Sequence, residues 1–111
     1  LLPVLLEVNT SGEESKHGVS PSAAAPLLEG VLQYCPALRV QGLMTVGPLT
    51  DDETDVRTAF ALLRRLRDSL SERFGYPLKE ISMGMSGDFQ WAVQEGSTMV
   101  RIGSAIFGKR A

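Results

Sequence analysis

The order of its apolar segments constrains the fold of this chain most, because four short strand-like runs alternate with helical stretches. The runs lie at Val4–Val8, Leu38–Val46, Glu80–Met83 and Thr98–Ile102. The first run is apolar at nearly every position, which is typical of a strand buried on both faces of a parallel sheet. Strands that alternate with helices favour βα units over a sandwich or a helix bundle. The sequence therefore predicts an α/β fold with about four parallel strands.

The helices between these strands have recognisable ends. Ser20 and Pro21 are predicted to start the first helix, as its N-cap and first helical residue. In the longest helix, Thr50 and Glu53 have the spacing of a capping box, and Gly75 is expected to end it. The apolar stripe of that helix consists of Val56, Phe60, Leu63, Leu66, Leu70 and Phe74. We interpret its charged opposite face as a solvated surface.

Size and charge exclude several classes of function. A chain of 111 residues forms one domain at most, and a net charge of −2 provides no basic excess for nucleic acid or anionic membranes. Cys35 and His17 are each the only residue of their type, so neither a disulfide within the chain, a zinc cluster nor a catalytic triad is expected. The apolar start is too short to span a membrane, and we expect a cytoplasmic protein, or one of an organelle matrix. Because the chain begins with Leu1 rather than Met, we expect it to be part of a longer protein.

Small residues follow the third and fourth strands, and this pattern suits an anion site. Ser86 is predicted to lie at a helix start, where its hydroxyl can cap the helix, bind a phosphate oxygen, or do both. Gly103 and Ser104 follow the last strand and can direct two backbone N–H groups at one anion before a predicted short helix. Barrels of the α/β class often bind phosphate with the loops after their last two strands. The two strand exits together predict a phosphate site.

Two further residues are candidates at the same mouth. Arg101 lies two residues before Gly103, and strand alternation turns its side chain toward the barrel interior if Val100 faces the helices. A structural ion pair with Glu7 explains Arg101 about equally well. Asn9 follows the first strand and can reach the same mouth, although asparagine is also a common turn residue. The residues alone leave both assignments open.

Four segments closely resemble the pyridoxal 5′-phosphate (PLP) homeostasis proteins. The segments are EVNTSGEESK (7–16), GLMT (42–45), SMGMSGDF (82–89) and GSTMVRIGSAIFG (96–108), in the family's order and spacing over essentially the whole chain. The family resembles the N-terminal barrel of alanine racemase, so residues 1–111 are expected to form a single partial domain, the C-terminal half of a (β/α)8 TIM-like barrel of PLP fold type III. The resemblance implies phosphate contacts from the Ser86 hydroxyl and from the backbone of Gly103 and Ser104. It also implies that Arg101 faces the pyridine nitrogen and that Asn9 and Met85 line the pocket.

The resemblance further implies a carrier rather than an enzyme, one that binds PLP, buffers it and delivers it to PLP-dependent apo-enzymes. An arginine at the pyridine nitrogen keeps that nitrogen unprotonated and so weakens the ring as an electron sink. The family's Schiff-base lysine lies on an early barrel strand, before any segment present here, and Lys16, Lys79 and Lys109 do not match it. We therefore expect this chain to contact PLP only noncovalently. Its uncovered sheet edges and apolar helix faces favour self-association.

Two alternatives remain at this point. The first is an amino acid racemase of the alanine racemase type, which needs a second domain and a tyrosine base. Tyr34 and Tyr76 lie at predicted helix ends and suit that role poorly, and the chain stops at Ala111, soon after the last turn. The second alternative is a generic phosphate-binding half-barrel that pairs with itself.

Overall fold

The computed structural model of the chain describes residues 1–12, 18–48, 50, 52–84, 87–102 and 105–108, with the side chains of 101, 102 and 105–108 left aside. Within these residues the chain forms one five-stranded sheet with helices packed against it. The strands are β1 (Leu2–Glu7), β2 (Leu38–Met44), β3 (Glu80–Ser82), β4 (Met99–Ile102) and β5 (Ala105–Gly108). The helices are α1 (Ala24–Tyr34), preceded by the 3-10 turn Pro21–Ala23, then α2 (Glu53–Phe74) and α3 (Phe89–Gln94).

The strands β1 to β4 are parallel and lie in chain order across the sheet. Leu43 of β2 is in register with Leu6 of β1 on one side and with Ile81 of β3 on the other. Successive βα units produce this arrangement, since parallel neighbours require a crossover connection. The predicted α/β fold with four parallel strands is confirmed, and the carboxyl ends of all four strands share one edge of the sheet.

The end of the chain differs from the prediction. A short helix was expected after residues 103 and 104, but Ala105–Gly108 form β5, which is antiparallel to β4 and pairs Ala105 with Ile102. Without β5, the outer edge of β4 would present unpaired N–H and C=O groups. Pairing with Ala105–Gly108 satisfies these groups, and Ile106 and Phe107 are residue types that favour strands.

The core lies between the sheet and the helices, and α2 contributes more of its buried residues than α1 or α3. In α2 the predicted stripe faces the sheet, and its most deeply buried members are Val56, Phe60, Leu63 and Leu70. Leu66 and Phe74 are partly buried against the same cluster. The sheet contributes Leu6, Val8, Val40, Leu43, Ile81, Met83 and Val100. Among the described residues, none of the helices has the length and apolar character needed to cross a bilayer.

The helix ends are only partly as predicted. Gly75 ends α2 in the left-handed conformation, at φ 57°, as expected. The capping box is wrong, because Asp52 is the N-cap and its carboxylate accepts a hydrogen bond from the N–H of Asp55 at 3.1 Å. Thr50 instead accepts from the N–H of Asp52 at 3.1 Å, and a carboxylate is favoured over a threonine at a helix N-terminus. Ser20 is the N-cap of the 3-10 turn that leads into α1, and Pro21 begins that turn, as predicted. The Ser20 side chain makes no cap hydrogen bond, however, and its hydroxyl lies 3.2 Å from that of Ser22.

Candidate functional site

The carboxyl ends of β3 and β4 lie side by side. Ser82 is in register with Met99, and the N–H of Met83 donates to the carbonyl of Met99 at 3.1 Å. Because the two strands run in the same direction, the chain leaves both at one edge of the sheet. The predicted phosphate and pocket residues that follow these ends in sequence, Met85, Ser86, Gly103 and Ser104, lie outside the described residues. The structure thus brings together the two strand ends that carry them.

Gly84 shapes the exit from β3. Its φ of 103° lies in the region that side chains disfavour, and a Cβ placed on it would lie 2.5 Å from the Cβ of Ala92 in α3. The same Cβ would lie 3.3 Å from a methyl of Val100 in β4. Only glycine fits here without rearrangement. The glycine lets α3 pack directly over the end of β3.

The helix that follows this exit is short. Its six residues begin after Asp88, which holds the N-cap position without a side-chain cap hydrogen bond. Ser86, which was predicted at this helix start, lies outside the described residues, so its capping and phosphate roles both stay predictions. A helix of this length contributes little dipole of its own, so an anion here would depend on the loop backbone and hydroxyls. A cleft of about 260 Å³ lies at the start of α3, lined by Gly87, Asp88, Phe89, Gln90 and Trp91.

Arg101 lies in β4, and its backbone is paired with Ile106 of β5. Its side chain lies outside what the structure describes. The preceding residue, Val100, is 8% exposed and belongs to the core beneath the helices. Val100 therefore faces the helices, which is the condition under which strand alternation predicts that the Arg101 side chain points toward the barrel interior. The interior orientation, and the choice between a ligand contact and an ion pair with Glu7, stay predictions.

Asn9 lies at the exit of β1 and organises the turn that follows. Its side-chain oxygen accepts hydrogen bonds from the N–H of Ser11 at 3.2 Å, the hydroxyl of Ser11 at 3.0 Å and the N–H of Gly12 at 3.2 Å. The turn role considered for Asn9 is therefore present. Asn9 shares the carboxyl edge with the β3 exit, with β2 between them in the sheet. Its contact with a ligand stays a prediction.

A buried hydroxyl pair, which sequence reasoning missed, connects the neighbouring exits. The hydroxyls of Thr10, after β1, and Thr45, after β2, lie 3.0 Å apart, and both side chains are buried. The N–H of Thr45 also donates to the carbonyl of Ser82 in β3 at 3.0 Å. These hydrogen bonds connect the carboxyl end of β1 to that of β2, and the carboxyl end of β2 to that of β3. A signal was present, since Thr10 and Thr45 each lie in a recognised segment at the end of adjacent strands.

A network of ion pairs joins α2 to the end of α3. The guanidinium of Arg57 in α2 is held by the carboxylates of Glu53 and Glu95, at 3.0 Å and 2.9 Å. Hydrogen bonds to these two carboxylates raise the pKa of Arg57 above its ordinary value. Within the described residues, no group of three or more His, Cys, Asp or Glu side chains could hold a metal ion.

The fold and the two adjoining strand exits define an α/β protein of the βα-repeat class, with a candidate anion site at the carboxyl edge of its sheet. Residues 1–111 match the family model described as alanine racemase, N-terminal domain. The chain belongs to this family.

Relatives in sequence agree with the resemblance drawn from the motifs, which is confirmed. The chain is 48% identical over 107 residues to the pyridoxal phosphate homeostasis protein of Aquifex aeolicus, covering 96% of this chain and 46% of the relative. It is also 48% identical over 112 residues to the human protein of the same name, covering 98% of this chain and 41% of the relative. The chain therefore spans less than half the length of these curated relatives.

Solved structures share the fold. A protein described as unknown from Bifidobacterium adolescentis superposes with a TM-score of 0.84 at 46% identity, covering 95% of this chain and 42% of that one. PipY of Synechococcus elongatus, solved without PLP, gives a TM-score of 0.83 at 30% identity. PipY solved with PLP bound gives 0.77 at 28% identity. Each PipY comparison covers 92% of this chain and 47% of PipY.

Proposed function

We propose that the protein to which this chain belongs binds PLP and serves PLP homeostasis, and that this chain supplies the phosphate-binding, C-terminal half of a (β/α)8 barrel. The observation that carries this proposal is the parallel pairing of β3 with β4, since it brings the two strand ends that precede the predicted phosphate segments to one edge of the sheet. The relatives named pyridoxal phosphate homeostasis proteins support it. So does the likeness to PipY with PLP bound.

The described residues at this edge fit a phosphate group. Gly84 turns the chain out of β3 with a backbone that other residues disfavour, and a Cβ on Gly87 would meet nothing within 4 Å. Small residues of this kind let backbone N–H groups approach a phosphate closely. We assign the phosphate contacts to the hydroxyl of Ser86 and to the backbone N–H groups of Gly103 and Ser104.

The remaining contacts would hold the ring of the cofactor. Arg101 would face the pyridine nitrogen, while Asn9 and Met85 would line the pocket. When bound, PLP supplies an electron-withdrawing ring, and an arginine at its nitrogen weakens that property. All of these contacts are noncovalent. We place the Schiff-base lysine in the part of the longer protein that this chain does not include.

We propose a carrier that does not catalyse a reaction. The names of the relatives describe homeostasis. The positions of the tyrosines add support, because a racemase of the alanine racemase type needs a tyrosine base at the cofactor. Tyr34 ends α1 ahead of β2, and Tyr76 follows α2 ahead of β3, so both precede the amino ends of strands. The candidate site lies at the opposite edge of the sheet.

A racemase is the second candidate, because the matching family model is that of the alanine racemase N-terminal domain. The two functions separate in one assay of the longer protein. A carrier should not interconvert the two alanine enantiomers faster than the background rate, whereas a racemase should. Turnover above background would overturn the proposal of a carrier.

We further propose delivery of PLP to apo-enzymes in the cytoplasm or an organelle matrix. The net charge of −2 supports a small-molecule or protein partner over nucleic acid. If these residues are produced alone, self-association is expected, since β1 is an edge strand whose first residue, Leu2, is 62% exposed and is preceded by Leu1, which is 86% exposed. A generic half-barrel that pairs with itself would bind inorganic phosphate as tightly as PLP, and a carrier would not.

The phosphate assignment is tested by Ser86→Glu in the longer protein. A carboxylate beside the phosphate should weaken PLP affinity by about tenfold or more, because like charges repel at short range. The affinity for pyridoxal, which lacks the phosphate, should change little. Ser69→Glu is the matched control, since Ser69 is exposed on α2 and the substitution adds the same charge.

The outcomes are distinct. Equal losses of PLP and pyridoxal affinity in Ser86→Glu would contradict the assignment of Ser86 to the phosphate. An unaltered longer protein that fails to bind PLP would refute the proposed function itself.

A further inference from the structure

A polar contact joins α2 to the end of α3. The guanidinium of Arg57 donates from Nε to Glu95 Oε2 at 2.9 Å and from Nη1 to Gln94 Oε1 at 2.8 Å. Its Nη1 also lies 3.0 Å from Glu53 Oε2, one turn earlier on α2. Gln94 is the last residue of α3, and Glu95 is its C-cap. The Arg57 side chain of α2 thus binds the last residue and the C-cap of α3.

The position of α3 depends on such contacts. Its six residues are too few to be stable as an isolated helix, so packing against the rest of the fold must hold it. Ala92, which is fully buried against Gly84, holds the middle of the helix. Arg57 holds its end. Once these two points are fixed, the start of α3 has little freedom to move.

The start of α3 lies at the candidate site. Gly87, Asp88 and Phe89 line the cleft of about 260 Å³ beside the exit of β3. Asp88 Oδ2 would lie 3.5 Å from a Cβ placed on Gly47, so this region also touches the exit loop of β2. A tilt of α3 would displace these residues relative to the end of β4.

We propose that Arg57 is a positioning residue for the phosphate end of the PLP site. It touches no ligand, and it acts by fixing α3 and, through α3, the backbone from Gly87 to Phe89. This inference rests on the proposed function. It assigns a positioning role to one residue of a charged face that the sequence alone indicates only as a solvated surface.

The pair Arg57→Ala and Arg65→Ala tests the proposal in the longer protein. Arg65 is exposed on the same helix, so the control removes the same charge without touching α3. Arg57→Ala should lower the PLP affinity about fivefold, because the ion pairs that it removes are partly exposed to solvent and each is therefore weak. The affinity for pyridoxal should be unchanged, because the ring contacts come from other elements. Arg65→Ala should leave both affinities unchanged.

A second variant covers the case in which Arg57→Ala does not fold. Glu95→Gln removes the charge of the partner and leaves α2 intact, and it should cause a smaller loss of PLP affinity. If Arg57 acts through Glu95, the double variant Arg57→Ala with Glu95→Gln should bind PLP as Arg57→Ala does.

Three results would overturn the inference while leaving the proposed function intact. They are a folded Arg57→Ala protein with unchanged PLP affinity, equal losses for PLP and pyridoxal, and losses that add in the double variant. Failure of the unaltered protein to bind PLP would instead refute the proposed function.

Discussion

Gly84 and Ala92 are packed so closely that a methyl group on Gly84 would lie 2.5 Å from the Cβ of Ala92. The contact joins the exit of β3 to the middle of α3. Gly84 also has a φ of 103°, so two independent features require glycine at this position. The path of the chain toward the candidate phosphate site is thus set by the absence of a side chain.

Gly84→Ala is expected to destabilise the longer protein by about 2–3 kcal/mol, from backbone strain together with overpacking. Urea unfolding measures this loss of stability, as a lower midpoint concentration of urea with an unchanged m-value. Gly30→Ala is the control, because Gly30 lies inside α1 and a Cβ there meets nothing within 4 Å. It should stabilise by about 0.5–1 kcal/mol, since alanine is the better helix former.

A second substitution separates the two causes. Ala92→Gly in the Gly84→Ala background removes the steric contact and leaves the φ strain, so it should recover part of the lost stability. No recovery would show that the contact with Ala92 adds nothing to the requirement for glycine.

The buried hydroxyl pair of Thr10 and Thr45 is expected to stabilise the carboxyl edge. Thr45→Val deprives the Thr10 hydroxyl of this partner inside the protein, which should cost about 1–2 kcal/mol of unfolding free energy. Removing both hydroxyls should cost less than the sum of the single losses. Thr58→Val serves as the control, because Thr58 is exposed on α2 and its hydroxyl bonds only locally, to the carbonyl of Thr54 at 2.7 Å. Strictly additive losses would argue against an interaction between the two threonines.

Much of the architecture could be predicted from the sequence, because it depends on local pattern. The apolar runs locate the four parallel strands, and the stripe from Val56 to Phe74 locates α2 and its buried face. Gly75 ends α2 as predicted, since the left-handed C-cap is a local requirement that glycine meets best.

The errors occur where two local choices are nearly equivalent or where the outcome depends on tertiary contacts. Thr50 and Asp52 are both acceptable caps by residue type, and the helix uses Asp52, whose carboxylate is favoured at a helix N-terminus. A short helix was expected after the small residues that follow β4, but the segment Ala105–Gly108 pairs with the open edge of β4 as β5. Thr10 and Thr45 lie 35 residues apart in sequence. Their positions after neighbouring strands place them near each other, but the direct contact between their hydroxyls depends on the register of β1 against β2.

The contribution of Arg57 to PLP affinity is expected to be independent of pH around neutrality. Hydrogen bonds to Glu53 and Glu95 raise the pKa of Arg57 in the folded protein. A raised pKa on a cationic group means that its stabilising effect is complete below the unfolded pKa and disappears only as pH rises through the folded pKa. The ratio of PLP affinities between the unaltered protein and Arg57→Ala should therefore be the same at about pH 7 and about pH 9.

Salt should act differently. The Arg57 side chain is 33% exposed, so added salt should screen its ion pairs and bring the affinity ratio closer to one. A ratio that changes with pH and not with salt would contradict the ion-pair account.

Gly42 is expected to be the least replaceable glycine of the sheet. A Cβ on Gly42 would collide with the backbone carbonyl of Glu80 in β3, and a backbone atom cannot rotate away as a side chain can. Gly42→Ala should therefore force β2 and β3 apart and cost at least about 3 kcal/mol. Gly47→Ala is the comparison, because a Cβ at Gly47 would have its nearest neighbours at 3.4 and 3.5 Å, an ordinary contact. Amide hydrogen exchange provides the measurement, because the N–H of Thr45 donates to the carbonyl of Ser82 in β3. This amide should lose protection in Gly42→Ala and keep it in Gly47→Ala. Retained protection in Gly42→Ala would mean that the two strands accommodate the methyl group without separating.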